Sequence, residues 1–126
     1  MQKFNQIIDR FSHLSPIILR VFLGIVFIYF GWTSITTPDM WSGYVPEWTN
    51  FLAQAETLVR MHGVVEIGLG LLLVMGIQTR VVALILFFDL VHIITLLEFG
   101  SVWMRDLGLA GSLLSLGLMK EKEDVL

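Results

Sequence analysis

The sequence predicts an all-α fold: a four-helix transmembrane bundle, running up-down-up-down, with a short amphipathic segment ahead of the first span. Three observations predict it. Charged residues make up only 15% of the 126 residues and hydrophobic ones 56%, against about 25% charged in soluble domains. The charge deficit is concentrated between Pro16 and Met119. Within that stretch four apolar segments follow one another, at about 16–35, 61–79, 81–98 and 102–119. The whole chain, 1–126, then forms a single membrane domain.

At the N-terminus Phe4, Ile7, Ile8, Phe11 and Leu14 recur at helical spacing beside Lys3 and Arg10, the pattern of a helix lying on a membrane surface. The first span opens at Ser15-Pro16. Serine is a favoured N-cap, and proline suits the first helical position because its missing N–H would have no partner there. This apolar stretch is longer than a signal-peptide core, and Thr36-Thr37-Pro38-Asp39 offers no small-residue cleavage site, so a retained span is expected. Residues 37–60 form the only sizeable loop. In it Pro46-Glu47-Trp48 could open a helical turn with Trp48, Phe51, Leu52 and Ala55 on one face.

The second span, Met61 to Thr79, would cover about 28 Å at 1.5 Å per residue, close to the hydrocarbon thickness. Gly76 marks its end and a tight turn into the third span. The fourth segment, Leu107 to Met119, reaches membrane length only by extending back through Val102-Trp103-Met104, which draws Arg105 and Asp106 into the bilayer or its interface. Small residues at helical spacing, Gly24 with Gly31 and Gly108 with Ser112 and Ser115, predict close helix approach.

Orientation follows from the Lys and Arg distribution. Lys3, Arg10, Arg20, Arg80, Lys120 and Lys122 fall on one side, and Arg60 with Arg105 on the other. Both termini are therefore expected in the cytoplasm, in an inner or plasma membrane. All four tryptophans, Trp32, Trp41, Trp48 and Trp103, fall at the opposite face, where indole rings favour the interface.

Composition excludes several function classes. With no cysteine there is no disulfide, thiolate nucleophile or Cys-ligated centre. No basic run points to nucleic acid. Gly68-Leu69-Gly70 lies inside an apolar helix and follows no strand, so it is no dinucleotide fingerprint.

Six ionisable residues are the functional signal: His62, Glu66, Asp89, His92, Arg105 and Asp106. A charge at the bilayer centre costs at least about 2.5–3.5 kcal/mol, and helix direction brings all six to one half of the membrane. His62 and Glu66 are i, i+4 neighbours and Asp89 and His92 are i, i+3 neighbours. Three helices can thus aim acids and imidazoles into one outer-half chamber. Arg20, near the other end, is expected to snorkel.

Three readings stand side by side. The first is a neutralised network fixing helix register, in which Arg105 pairs with Asp106 or Glu66 and the histidines donate to carboxylates. The second is a ligand or proton site, favoured because one arginine cannot balance Glu66, Asp89 and Asp106. The third is a metal site of His62, Glu66, Asp89 and His92, a donor set suited to Zn, Mn or non-haem Fe. It lacks the doubled Glu-x-x-His of di-iron bundles.

Arg20-x3-Gly24-x2-Phe27-x3-Gly31 in the first span, Gly63-x2-Glu66-x3-Gly70 followed by Gly76-x3-Arg80, and Arg105-Asp106 before a Gly/Ser-rich last helix resemble DoxX-type membrane proteins. The likeness runs from about Leu19 to Leu118. It implies a four-helix inner-membrane protein associated with membrane oxidoreductase systems, since the family name comes from a subunit of a thiosulfate:quinone oxidoreductase and relatives occur with sulfur-stress redox partners. Many members carry a lysine three residues after the glycine ending the first span, where this chain has Ser34.

The resulting expectation is an accessory subunit of a quinone-linked oxidoreductase that binds quinone or a small substrate in the chamber. Glu66, Asp89 and Asp106 would handle protons, His62 and His92 would hydrogen-bond the ligand, and Arg105 would set the local charge. A redox protein or a second copy would be the partner. The alternatives are a non-enzymatic scaffold or assembly helper for a larger membrane protein, and a small proton-coupled transporter.

Overall fold

The computed structural model describes residues 1–42, 45, 54–96 and 99–120. Among these the chain is helical, with no strand. Helix α1 spans Gln2–Arg10, and a 3-10 turn at Ser12–Leu14 leads directly into α2, Ser15–Thr36. A one-turn helix α3, Asp39–Ser42, follows, then α4 (Ala55–Met75), α5 (Thr79–Leu96) and α6 (Ser101–Leu118). The amphipathic segment is a helix as expected. Every residue of α1 is exposed, including Phe4, Ile7 and Ile8.

Helices α2, α4 and α5 are long and apolar enough to cross a membrane. Less than a third of each crossing stretch is buried inside the protein. Phe22, Ile25, Val64, Val65, Ile85 and Phe88 instead face outward, as lipid-facing positions do, because acyl chains solvate them as well as a core would. Helix α6 equals α5 in length, but Arg105 and Asp106 make its first turns polar.

The bundle is built from two close antiparallel pairs, α2 with α4 and α5 with α6, joined by contacts of α4 with α5 and of α2 with α6. Glycines make the first pair. A Cβ added to Gly31 would lie 2.5 Å from the Gly63 carbonyl oxygen, and one added to Gly24 would lie 2.6 Å from that of Gly70. At such spacing backbone meets backbone, and no side chain fits between. The sequence marked Gly24 and Gly31 for close approach, and their partners are Gly70 and Gly63. The core runs through both pairs, with Leu23, Phe27, Leu73, Leu86, Leu90 and Leu113 almost wholly buried.

The α4–α5 turn follows the sequence reading. Gly76 is left-handed at φ 77°. Ile77 N–H donates to the Leu72 carbonyl and Gly76 N–H to that of Leu73, the paired bonds of a glycine-terminated helix. At the same end Arg20 does not reach freely for solvent. Its guanidinium lies over Gly76, 2.9 Å from where a Cβ would be, against the negative end of the α4 dipole. Arg80 Nε donates to the Gly117 carbonyl at 3.1 Å, tying α5 to the end of α6.

Several boundaries differ from the sequence reading. Ser15 is the first residue of α2, not its cap, and makes no capping bond, because the preceding 3-10 turn carries helical backbone into α2 from Leu14. Helix α4 starts six residues before Met61 and stops at Met75 instead of Thr79. Its first turns are polar, so hydropathy alone missed them, while residues 76–78 form the turn. Helix α5 starts at Thr79 instead of Val81, and the last two residues of its expected range lie outside the described residues, while α6 runs from Ser101 to Leu118. Of the expected helical turn from Pro46, only Ala55 lies within the described residues, and it opens α4. Gly108 and Ser115 do not serve an internal interface: both are exposed, and a Cβ on Gly108 would meet nothing within 4 Å. Half-buried Ser112 donates to the Gly108 carbonyl of its own helix.

Candidate functional site

The site lies where the C-terminal ends of α2 and α5 meet the N-terminal halves of α4 and α6. Helical spacing builds its walls. Leu58, Val59, His62 and Glu66 fall on one face of α4, and Asp89, Leu90, Ile93 and Leu96 on one face of α5. Phe30 and Ser34 come from α2, Arg105 and Asp106 from α6, and Trp41 from α3. Together with His92 and Val45 they enclose a cavity of about 270 Å³. All six ionisable residues singled out in the sequence line it. The expected three helices are in fact four, because α2 supplies Phe30 and Ser34.

His62 is the centre of the polar floor. Its Nδ1 lies 3.1 Å from Glu66 Oε1, and its Nε2 lies 2.7 Å from Asp89 Oδ1. A neutral imidazole has one N–H, so two carboxylates can both be met only if the ring or one carboxyl holds an additional proton. One bridging proton is therefore built into the arrangement. Glu66 is buried at 4% exposure, and Asp89 Oδ2 is buried with no hydrogen-bond partner. A buried carboxylate oxygen without a donor is costly, so the floor has unfilled acceptor capacity.

The second cluster is the Arg105–Asp106 pair. Arg105 Nε donates to Asp106 Oδ1 at 3.1 Å, and Asp106 is buried at 4% exposure. The guanidinium carbon sits 5.1 Å above the Phe30 ring, a cation–π contact that replaces part of its lost hydration. Phe30 also meets Trp41 edge-on at 6.0 Å between centroids. Trp41 Nε1 donates to Thr33 Oγ1 at 3.2 Å. Of the two pairings the sequence allowed for Arg105, the structure forms the one with Asp106.

His92 is exposed at the cavity edge. His62, Glu66 and Asp89 offer ligand atoms within 4.8 Å of one another, a spacing that could hold a metal ion. His92 is not among them, so the four-residue metal set reduces to three. Both nitrogens of His62 already face carboxylates on opposite edges of the ring, which is hydrogen-bond geometry. A single ion would require one nitrogen to turn toward both acids.

Sequence reasoning missed the apolar walls. Phe30, Leu58, Val59, Leu90 and Ile93 look like ordinary membrane residues. Their one signal was spacing: each lies one to four positions from an ionisable residue on its own helix, or, for Phe30, four before Ser34. Ser34 is buried, with its hydroxyl donating to the Phe30 carbonyl at 2.9 Å.

A membrane protein of bundled apolar helices, with ionisable groups gathered into a chamber at one end, is the class these features define. The DoxX family model matches residues 15–99, most of the chain, and the chain belongs to the DoxX family. The match includes His62, Glu66, Asp89 and His92 and stops short of Arg105 and Asp106. Neither a curated protein nor a solved structure matches the chain.

Proposed function

We propose that the chain is a small accessory subunit of a quinone-linked oxidoreductase of an inner or plasma membrane, with both termini in the cytoplasm and the chamber opening to the opposite side. The supporting observation is the convergence of four helices on one cavity of about 270 Å³, with apolar walls and an acid–imidazole floor. Quinone-type ligands need that combination: a ring and tail that prefer lipid, and oxygens that exchange hydrogen bonds and protons. The bridged triad of Glu66, His62 and Asp89 provides a path on which a proton can shift between acid, ring and acid. Asp106 extends the acidic floor, and Arg105 limits its net charge. His92, exposed at the cavity edge, would hydrogen-bond an entering ligand. A redox protein of the same membrane, or a second copy, would exchange electrons with the bound ligand, because the chain has no cysteine thiol to carry them.

Titration of the purified full-length protein with short-chain quinone analogues tests this. Saturable binding is expected, weakened about tenfold or more by Glu66→Gln or His92→Ala, the loss typical of a hydrogen bond involving a charged group. Absence of binding, or binding indifferent to both substitutions, rejects the proposal.

A second reading, a docking scaffold for a larger membrane protein, has one favourable observation. Gly108 and Gly111 face outward with open space where a side chain would be. A stoichiometric partner that co-purifies and is retained when the chamber residues are replaced would favour it.

A further inference from the structure

We infer that the chamber selects ligands by hydrogen-bond polarity: it takes a neutral or cationic donor carrying O–H or N–H groups on an apolar body, and it excludes anions. This rests on the proposed quinone-type site and deepens it, because for that ligand class it means the hydroquinone in preference to the quinone.

The inference comes from matching donors against acceptors around the cavity. Apart from the Nη groups of Arg105, the donors are already committed. Both nitrogens of His62 face carboxylate oxygens. Arg105 Nε serves Asp106, and the guanidinium is stacked on Phe30. The hydroxyl of Ser34 and the indole N–H of Trp41 donate to Phe30 O and Thr33 Oγ1. His92 offers one donor and one acceptor as a neutral ring, so it does not discriminate.

The acceptors are in surplus. Each of the three carboxylates has two oxygens, and the bonds within the site use one apiece: Oε1 of Glu66, Oδ1 of Asp89 and Oδ1 of Asp106. Asp89 Oδ2 is buried with no partner at all. Charge points the same way. Three carboxylates face one permanent cation, and even an imidazolium at His62 leaves the lining net negative. An anion would add like charge to a low-dielectric pocket whose one permanent cation already faces Asp106, whereas a hydroquinone brings two O–H groups to waiting oxygens. A quinone carbonyl brings only further acceptors.

The test uses the full-length chain in lipid nanodiscs under anaerobic conditions, with each redox form titrated separately and no reductant present with the quinone. Five probes are titrated: an alkyl hydroquinone, the matching quinone, the hydroquinone dimethyl ether, an alkylammonium ion and thiosulfate. The hydroquinone should bind at least about tenfold more tightly than its quinone and its ether, and thiosulfate should neither bind nor compete. Glu66→Gln, and independently Asp89→Asn, put an amide donor where an acceptor stood and should narrow that ratio toward unity. Preference for the quinone, competition by thiosulfate, or a ratio unchanged in both variants overturns the inference. Quinone binding without hydroquinone preference would overturn it while leaving the quinone reading intact. Binding of the alkylammonium ion with neither redox form would keep donor selection and reject the quinone reading. Binding of no probe rejects both.

Discussion

Between Glu66 and Asp89, His62 does what no single carboxylate–arginine pair in this protein does: it holds two acids from different helices on one ring, at 3.1 and 2.7 Å. The contact lies in an apolar span, so the arrangement is stable only as a set. Replacing His62 by alanine would leave two acids facing each other without a bridging donor. The expected loss is about 2 kcal/mol, below the 3–5 of a fully buried pair because the His62 side chain is 38% exposed. Thermal unfolding in detergent should show it as a lower Tm. Adding Asp89→Asn to His62→Ala should recover part of the loss, since one of the opposed charges is then gone. Full additivity of the two substitutions would show that the contact carries no coupling.

At the scale of elements, the α2–α4 pair depends on glycine more than on leucine. A methyl group on Gly31 or Gly63 meets backbone oxygen at 2.5 or 2.7 Å, and backbone cannot yield as a side chain end can. Gly31→Ala should therefore push α2 from α4 and destabilise the protein by about 1–3 kcal/mol, the usual range for overpacking. Gly111→Ala, with open space around its Cβ position, should be neutral or slightly stabilising, because alanine favours helix. Equal melting temperatures for the two variants would contradict this account. The displacement would also widen the chamber, since Ser34 and Phe30 ride on α2 close to Gly31, so Gly31→Ala should weaken ligand binding without touching a ligand.

For the molecule as a whole, topology decides which solution the chamber meets. Arg20, Arg80 and Lys120 lie at one end of the bundle, while Trp32, Trp103 and the chamber lie at the other. The native chain has no cysteine, so single cysteines report position without background. With cytoplasmic termini, Phe99→Cys should react with a membrane-impermeant thiol reagent in intact cells, and Gln6→Cys only after permeabilisation. Both positions are exposed in the fold and lie outside the membrane-crossing helices, so access should follow sidedness. The reverse pattern would place the chamber toward the cytoplasm and remove the proposed orientation.

The all-helical fold, the turn at Gly76, and the meeting of His62, Glu66, Asp89, His92, Arg105 and Asp106 were legible in the sequence because each reflects a local rule. Hydropathy marks spans, glycine permits positive φ, and ionisable groups are too costly in lipid to be scattered at random. Helix ends were less legible. The first turns of α4 carry Glu56 and Arg60 and do not look like membrane, although the helix continues through them. Outward-facing Gly108 resembles interface-forming Gly31 in sequence, and only the neighbours distinguish them.

The sequence by itself determined which residues had to avoid lipid and at what level of the bundle they would meet. Only the tertiary structure decided who pairs with whom: His62 with two acids, Arg105 with Asp106 and Phe30, Gly31 with Gly63. The physical reason is that hydropathy and helical period act along one chain segment, whereas pairing depends on the rotation of each helix about its axis. That rotation is set by side-chain volumes on several helices packing at once, and no single segment carries it.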